Sequence, residues 1–414
     1  MRKYFSLFLL FAICSSLFAQ MNVSGILDTS VSMNVGAGDS PEFLCGFEEF
    51  ANIRFQSRMR EKGVVHGAVN LIAASGSYAA GMAAMGVNPI GENFITAIEL
   101  ERLYFRLNGE YTDLDCGLFR LPFGYGQVWG PSDFLNPKNP LKPDARPRAI
   151  LGAALNWYPN DDLKIQTFSA APRNPFAFNG EGWLMGIAGD QHWEKFSLQA
   201  LYSYEMPIKV NDLQTEDSDS SASHEVPAGV PGSKYGIHRA GFSVKADLEA
   251  GFVMEALYTY NHEEWIEKGD SLLDGLSFSI GADYSLLDGD LILLAEYLFN
   301  GNSSSTAKDY GGDFFNNHYL YAGLTWLFAD FTNISFAVIC GLNDISFTPI
   351  ISLNHELFQG AALTVTAQVP MDRDLFFDDG NRGEFGPIRP DDMQPLPLRF
   401  GSYFNLSARI RLRF

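Results

Sequence analysis

The sequence predicts an all-β chain that closes into a transmembrane antiparallel barrel of sixteen to eighteen strands. Three observations predict it: apolar and polar residues alternate in stretches of about ten residues, links between stretches alternate in length, and no run of about eighteen apolar residues follows the first twenty positions.

The last stretch is the clearest. Phe404, Leu406, Ala408, Ile410, Leu412 and Phe414 alternate with Asn405, Ser407, Arg409, Arg411 and Arg413. Successive side chains of a strand point to opposite faces, so one face is apolar and the other polar. The same period appears in Leu276–Leu286, in His238–Asp247, in Ile53–Arg60 and in the first mature strand, where Val23, Leu27 and Val31 oppose Asn22, Ser24, Asp28 and Ser30. Candidate strands start near residues 21, 47, 63, 96, 111, 149, 162, 183, 194, 236, 251, 276, 290, 318, 331, 345, 361 and 399.

The links separate a membrane barrel from a soluble sandwich. Glu61-Lys62-Gly63, Asn108-Gly109-Glu110, Pro159-Asn160-Asp161, Asp288-Gly289-Asp290 and Ala329-Asp330 have the composition of tight hairpins. Between them lie long links near 75–95, 120–148, 205–235, 261–275, 300–317 and 370–398. Short turns on one rim and long loops on the other are what a membrane barrel requires. The short 341–345 link interrupts that alternation and leaves sixteen strands as the other count. Aromatic pairs near strand ends (Tyr258 and Tyr260, Tyr297 and Phe299, Tyr319 and Tyr321, Trp326 and Phe328) read as headgroup anchors, against the plainer reading of ordinary β-propensity.

Residues 1–19 read as an export signal: Arg2 and Lys3 precede an apolar stretch from Tyr4 to Ile13, with cleavage placed after Ala19. Residues 20–414 then form a single barrel domain. Without Arg2 and Lys3, 27 basic residues face 49 acidic ones, a net charge of −22 that argues against nucleic acid as a partner. Cys45, Cys116 and Cys340 match no zinc or redox spacing, and no bridge between Cys45 and Cys340 is expected.

The ending Phe404–Phe414 resembles the terminal strand of bacterial outer-membrane β-barrel proteins, porin-like ones among them. The resemblance implies an outer-membrane location and makes Phe414, Leu412 and Ile410 part of a signal read by the outer-membrane assembly machinery. Leu412 departs from the aromatic often found there. The stretch from Gly117 to Pro137 is similar to a segment after an early strand in some porin-like proteins.

A barrel of this size leaves an aqueous channel. Slipping the last strand by one residue would turn Arg409 and Arg411 toward lipid together, so these arginines face the lumen. The same argument assigns Arg54, Arg58, Arg60, Arg102, Arg106, Arg239 and Arg399 to the pore wall. Most of them cluster where the last strand meets the first, with Asp247, Glu255, Asp283 and Glu296 elsewhere around the wall. Either this basic wall sets a transverse field that prefers anions, or its arginines pair with carboxylates and only brace the wall.

The link at 120–148 is proline-rich and basic, with Arg120, Lys138, Lys142, Arg146 and Arg148 against Asp133 and Asp144. In porins the third long loop folds inward, so the resemblance makes this link a candidate constriction; the alternative is an ordinary surface loop. The link at 73–93 is apolar and is expected to cover the mouth, contact headgroups or bind a hydrophobic solute. Those at 205–235 and 370–398 read as solvated, mobile loops.

The seven histidines form no metal-spacing motif and no nucleophile elbow occurs, so neither an enzyme nor a cofactor is expected. The expected activity is passive diffusion of small hydrophilic solutes, tilted toward anions. Two alternatives stand beside it: a hydrophobic-solute transporter gated by 73–93, and an adhesin or structural barrel. Lipid, the assembly machinery and small solutes are the expected partners, with self-association left open.

Overall fold

A computed structural model describes residues 21–36, 43–59, 62–84, 94–138, 149–172, 182–207, 236–262, 272–301, 316–377, 383–386 and 402–414. These form one closed sheet of eighteen antiparallel strands. In chain order they are β1 (Met21–Gly36), β2 (Phe43–Met59), β3 (Gly63–Gly76), β4 (Phe94–Asn108), β5 (Thr112–Phe119), β6 (Ile150–Asn160), β7 (Leu163–Ala170), β8 (Leu184–His192) and β9 (Phe196–Glu205). The second half comprises β10 (Ile237–Asp247), β11 (Gly251–Asn261), β12 (Leu276–Leu286), β13 (Leu291–Asn300), β14 (His318–Ala329), β15 (Thr332–Gly341), β16 (Ser346–Phe358), β17 (Ala361–Gln368) and β18 (Ser402–Arg413). Each strand pairs with its chain neighbours, and β18 closes the ring on β1.

The count is therefore eighteen. The four-residue link between β15 and β16 is one of the long-loop rim's connections, shortened to a turn with Ile345 at φ +55°. At the seam Leu27 stands opposite Leu412, Thr29 opposite Ile410, Asp28 opposite Arg411 and Ser30 opposite Arg409. Directly opposed residues share a face, so the apolar set points out and the arginines point in. The last pair is Gly25 with Phe414, tied by two backbone hydrogen bonds of 2.8 and 3.1 Å.

The outward face is apolar and open: Ile98 is 80 % exposed, and Phe47, Leu155, Ile187, Ile280 and Phe336 are exposed in the same manner. Such a belt around a closed sheet is stable only in lipid, which satisfies no backbone group and so demands closure. Tyr319 and Tyr321 depart from the expected aromatic belt. Tyr319 pairs with Leu298 and Gly341 on the inward face and is fully buried, because loop residues cover it there.

Among the described residues, two helices lie in the long links: α1 (Ser77–Ala84) and the single-turn α2 (Arg373–Phe377). Ser77 meets the inward Ser32 at 3.1 Å, so the described part of the apolar 73–93 link folds inside the barrel against β2. The described part of 370–398 is solvated only in part: Asp372, Glu384 and Phe385 are buried, whereas Leu375 and Phe377 are exposed. Phe385 supplies the apolar surface that holds that loop down, against Tyr319, whose hydroxyl donates to Glu384 at 2.7 Å.

Candidate functional site

The lumen has two unlike walls. One runs from β6 to β15 and is covered by the described part of the long link, residues 120–138. Phe119, Leu121 and Phe123 enter a buried apolar cluster with Ala154, Phe168, Leu184, Leu201 and Leu257. Farther along, Val128 and Trp129 pack on Leu298, Tyr319, Ile339 and Phe385. The segment therefore lies across the inner wall rather than over the outer surface.

Carboxylates of that wall fix its backbone. Glu255 of β11 accepts the amides of Tyr125 and Gly126 and, at 3.4 Å, that of Ser132. Glu296 of β13 accepts those of Gln127 at 3.2 Å, Val128 at 3.0 Å and Trp129 at 2.8 Å. Gly124 donates to Gln199 at 2.6 Å, the Tyr125 hydroxyl to Asp190 at 2.7 Å and the Gln127 side chain to Asp283 at 2.9 Å. Buried peptide groups must find partners, and charged acceptors make the stronger bonds. Glycine is required where the chain comes closest. A Cβ on Gly124, at φ +80°, would lie 2.4 Å from a Glu255 oxygen, and one on Gly126 would meet the Trp129 carbonyl at 1.8 Å.

Glu255 and Glu296 thus stand on the inward face, as their alternation predicts, but they serve the loop and are not a bare acidic wall. Within the loop, Asp133 accepts the Phe123 amide at 3.3 Å, and burial pushes its carboxyl up to about 7 against the opposing pull of that bond and of Lys138. Lys138 donates to the Gly126 carbonyl. Arg239 is buried, pairs with Glu205 at 2.8 Å and lies over the Phe134 ring at 5.1 Å, so it clamps the loop and does not line open space.

The other wall is the seam, β1–β5 with β16–β18. Arg411 holds Asp28 through two bonds of 2.8 and 2.7 Å, and Arg106 holds Asp115 through two of 2.6 and 2.9 Å. A bulge in β4 places Glu101 out of phase, so Glu99 and Arg102 on either side of it both face inward. Glu101 then takes Arg120 at 2.9 Å, Arg102 at 3.9 Å and the Asn52 amide, while Asn70 donates to Glu99 at 3.0 Å. Arg54 donates to Asn52 at 2.8 Å. Arg409 faces inward opposite Ser30 and Thr364, near α1. There burial and Glu48 raise the Tyr78 hydroxyl, while a Ser32 hydrogen bond and the Arg409 charge oppose them. Arg58 is exposed and makes no ion pair among the described residues.

Arg54, Arg58, Arg102, Arg106, Arg409 and Arg411 are thus brought together at the seam, where Arg120 joins them through Glu101, whereas Lys138 stays with the loop against the Glu255 and Glu296 wall. Arg60, Lys142, Arg146, Arg148 and Arg399 lie outside the described residues. Phe414, Leu412 and Ile410 face outward. Cys45, Cys116 and Cys340 are free thiols.

No family model matches the sequence, and no curated protein matches it. Solved structures do. The chain is similar to the outer membrane protein opdK from Pseudomonas aeruginosa at 7 % identity, over 95 % of this chain and 98 % of that one, with a TM-score of 0.55. It is similar to OccAB1 of Acinetobacter baumannii at 10 % identity, over 95 % and 96 % of the two chains, with a TM-score of 0.54. A doubly substituted form of OccD1 (OprD) gives 8 % identity, 96 % and 95 % coverage and a TM-score of 0.53. The fold is that of an outer-membrane porin. At these identities the likeness covers the porin barrel and leaves the wall chemistry to this chain's own residues.

Proposed function

We propose that the chain is a bacterial outer-membrane channel for passive diffusion of small hydrophilic solutes, with a preference for anions. The observation that carries this reading is the division of the lumen. The 120–138 segment is bound to the β6–β15 wall, and the polar seam wall with its arginines faces it across the remaining space. In this reading the short-turn rim is periplasmic, the long-loop rim faces outward, residues 1–19 direct export, and Phe404–Phe414 is read by the assembly machinery.

The anion preference rests on Arg54, Arg58, Arg102 and Arg409. Arg106 and Arg411 are each held bidentately by a carboxylate and brace the wall. Charge on low-dielectric walls concentrates the field in a narrow passage, whereas loop acids in water are screened over about 10 Å at ordinary salt. Planar-bilayer recording of the refolded full chain tests both parts. Discrete conductance steps with a reversal potential of anionic sign are expected in a salt gradient. Absence of conductance would end the channel reading, and cation preference would end the finer one.

A further inference from the structure

The inward face changes character on crossing the seam. From β1 to β5 it carries Asp28, Glu48, Arg54, Arg106 and Asp115. Across β14–β17 the one Asp, Glu, Lys or Arg is Glu356, near the short-turn rim. Hydroxyls and amides take the place of charge there. A row of directly paired inward residues runs Thr325, Ser335, Ser352, Thr366, Ser407 from β14 to β18, and it ends on Ser32, which α1 covers. The next row toward the short-turn rim is Asn333, Asn354, Thr364, and it ends on Arg409.

The eight side chains from Thr325 to Ser407 and from Asn333 to Thr364 are half-buried, set in the wall with one side to the lumen. Their own bonds order them. Thr325 meets Ser335 at 3.1 Å and Ser352 meets Thr366 at 3.0 Å, while Asn354 donates to Asn333 at 3.1 Å and Thr364 to Asn354 at 2.7 Å. Such a surface is arranged before a solute arrives, which lowers the cost of binding. It also keeps capacity in hand. Among the described residues, the Ser407 hydroxyl makes no hydrogen bond and the Asn333 amide donates none.

Tyr321 adds an aromatic ring at the edge of this surface. It faces inward two residues from Gly323 and four from Thr325, and Trp129 meets it edge-on with ring centroids 6.4 Å apart. The ring leans back along the wall over Gly323, where a Cβ would lie 2.9 Å from the Tyr321 hydroxyl oxygen and 3.0 Å from Cε1. Its hydroxyl thus points toward the row and, among the described residues, makes no hydrogen bond.

This chemistry selects a class of solute. A sugar carries hydroxyls that both donate and accept around its edge, and C–H groups on its faces. Hydroxyl and amide side chains match the first, since they too do both, and an aromatic ring with a polar tip matches the second. Adjacent strands lie about 4.8 Å apart, so the open row is about 19 Å long. Strands tilted about 40° make it climb roughly 12 Å along the channel axis, room for linked sugar units.

We propose that the inward face of β14–β18, with Tyr321 at its edge, binds neutral saccharides in passage; this solute class rests on the channel reading. Maltotriose is the probe. Added to the refolded full chain in a planar bilayer, it should reduce the ion current saturably, whereas polyethylene glycol of equal mass should not saturate. The midpoint should move less than about twofold between about 0.1 and 1 M salt, because a neutral solute is not screened. Ser335→Ala, Ser352→Ala and Thr366→Val together should weaken the block at least about tenfold and leave the reversal potential unchanged. Tyr321→Phe should weaken it a few-fold, so a triple variant that does not close still leaves a deciding result. A block no greater than the glycol's, one that vanishes with salt, or one that neither variant weakens overturns the proposal. Saturation-transfer NMR of maltotriose, with the protein in a detergent that has no sugar headgroup, separates the two readings. Transfer to a barrel that carries no current keeps the site and ends the channel; a conducting barrel without transfer does the reverse.

Discussion

The two walls of the lumen use buried carboxylates for different purposes. On the seam wall Asp28, Asp115 and Glu101 receive guanidinium groups, so each carboxylate balances a charge of its own strand neighbourhood. On the β6–β15 wall Glu255 and Glu296 receive backbone amides, so their chief task is to immobilise a segment. Each seam carboxylate is buried but its arginine is 21–39 % exposed, so water screens the pair in part and its contribution is modest. A buried carboxylate holding three amides is far harder to remove, since each amide left behind is itself a buried unsatisfied donor costing about 1–3 kcal/mol.

The largest expected effect follows from that asymmetry. Replacing Glu255 and Glu296 together by Ala removes the acceptors of six loop amides. The segment should detach, with faster hydrogen exchange over 123–132 and a larger, noisier single-channel conductance. Arg106→Ala on the seam strips the buried Asp115 of its guanidinium, and it should cost about 1–3 kcal/mol while leaving exchange in 123–132 unchanged. Equal exchange in both variants would mean that the two walls do not differ as described.

Selectivity gives the next effect. Changing Arg54, Arg58 and Arg409 to Glu should reverse the sign of the reversal potential, whereas replacing Arg411 by Gln together with Asp28 by Asn should shift it little because that pair carries no net charge. If the triple change leaves selectivity untouched, the seam braces the wall and does nothing more.

How much of this was legible in the sequence differs between the two walls. The alternation puts Arg409 and Arg411, like Glu255 and Glu296, on the face opposite the apolar set, because register depends only on the period and on one apolar face. It could not show that the partner of Glu255 is the peptide backbone 130 residues earlier, since amides have no sequence signature. The β4 bulge was hidden for a similar reason: Glu101 breaks the phase by one residue within an otherwise regular strand. The 370–398 link misled through composition. Its acids and prolines read as solvated, although Phe385 among its apolar residues makes the contact that holds Glu384 against Tyr319.

That contact sets a smaller test. The Tyr319 hydroxyl donates to Glu384 and accepts the Asn316 amide at 2.9 Å, and its ring stands between Phe385 and Trp129. Tyr319→Phe keeps the rings and removes both hydrogen bonds. A loss of about 1–2 kcal/mol of stability is expected, with exchange rising around 383–386 more than around 129. A rise confined to 129 would show that the two loops are not joined through this residue.

The smallest effect is a pH dependence confined to the loop-covered wall. Asp133 has its folded carboxyl raised to about 7 from 3.8, with burial as the main cause. A raised acid binds a proton in the docked loop that it does not bind when released. Docking is therefore strongest below about 4 and weakens as pH rises through the window up to about 7, above which no further change comes from this group. The expected sign is thus opposite to acid release: exchange in 121–136 should slow by a few-fold between pH 8 and pH 5, after correction for intrinsic exchange. Asp133→Asn keeps an acceptor for the Phe123 amide and removes this titration, so its profile should be clearly flatter than the wild type's over that window. The seam supplies the control, because amides of β1 and β18 should show no such trend in either protein. A wild-type loop that loosens on acidification would place the dominant titration elsewhere on this wall and remove Asp133 as its cause.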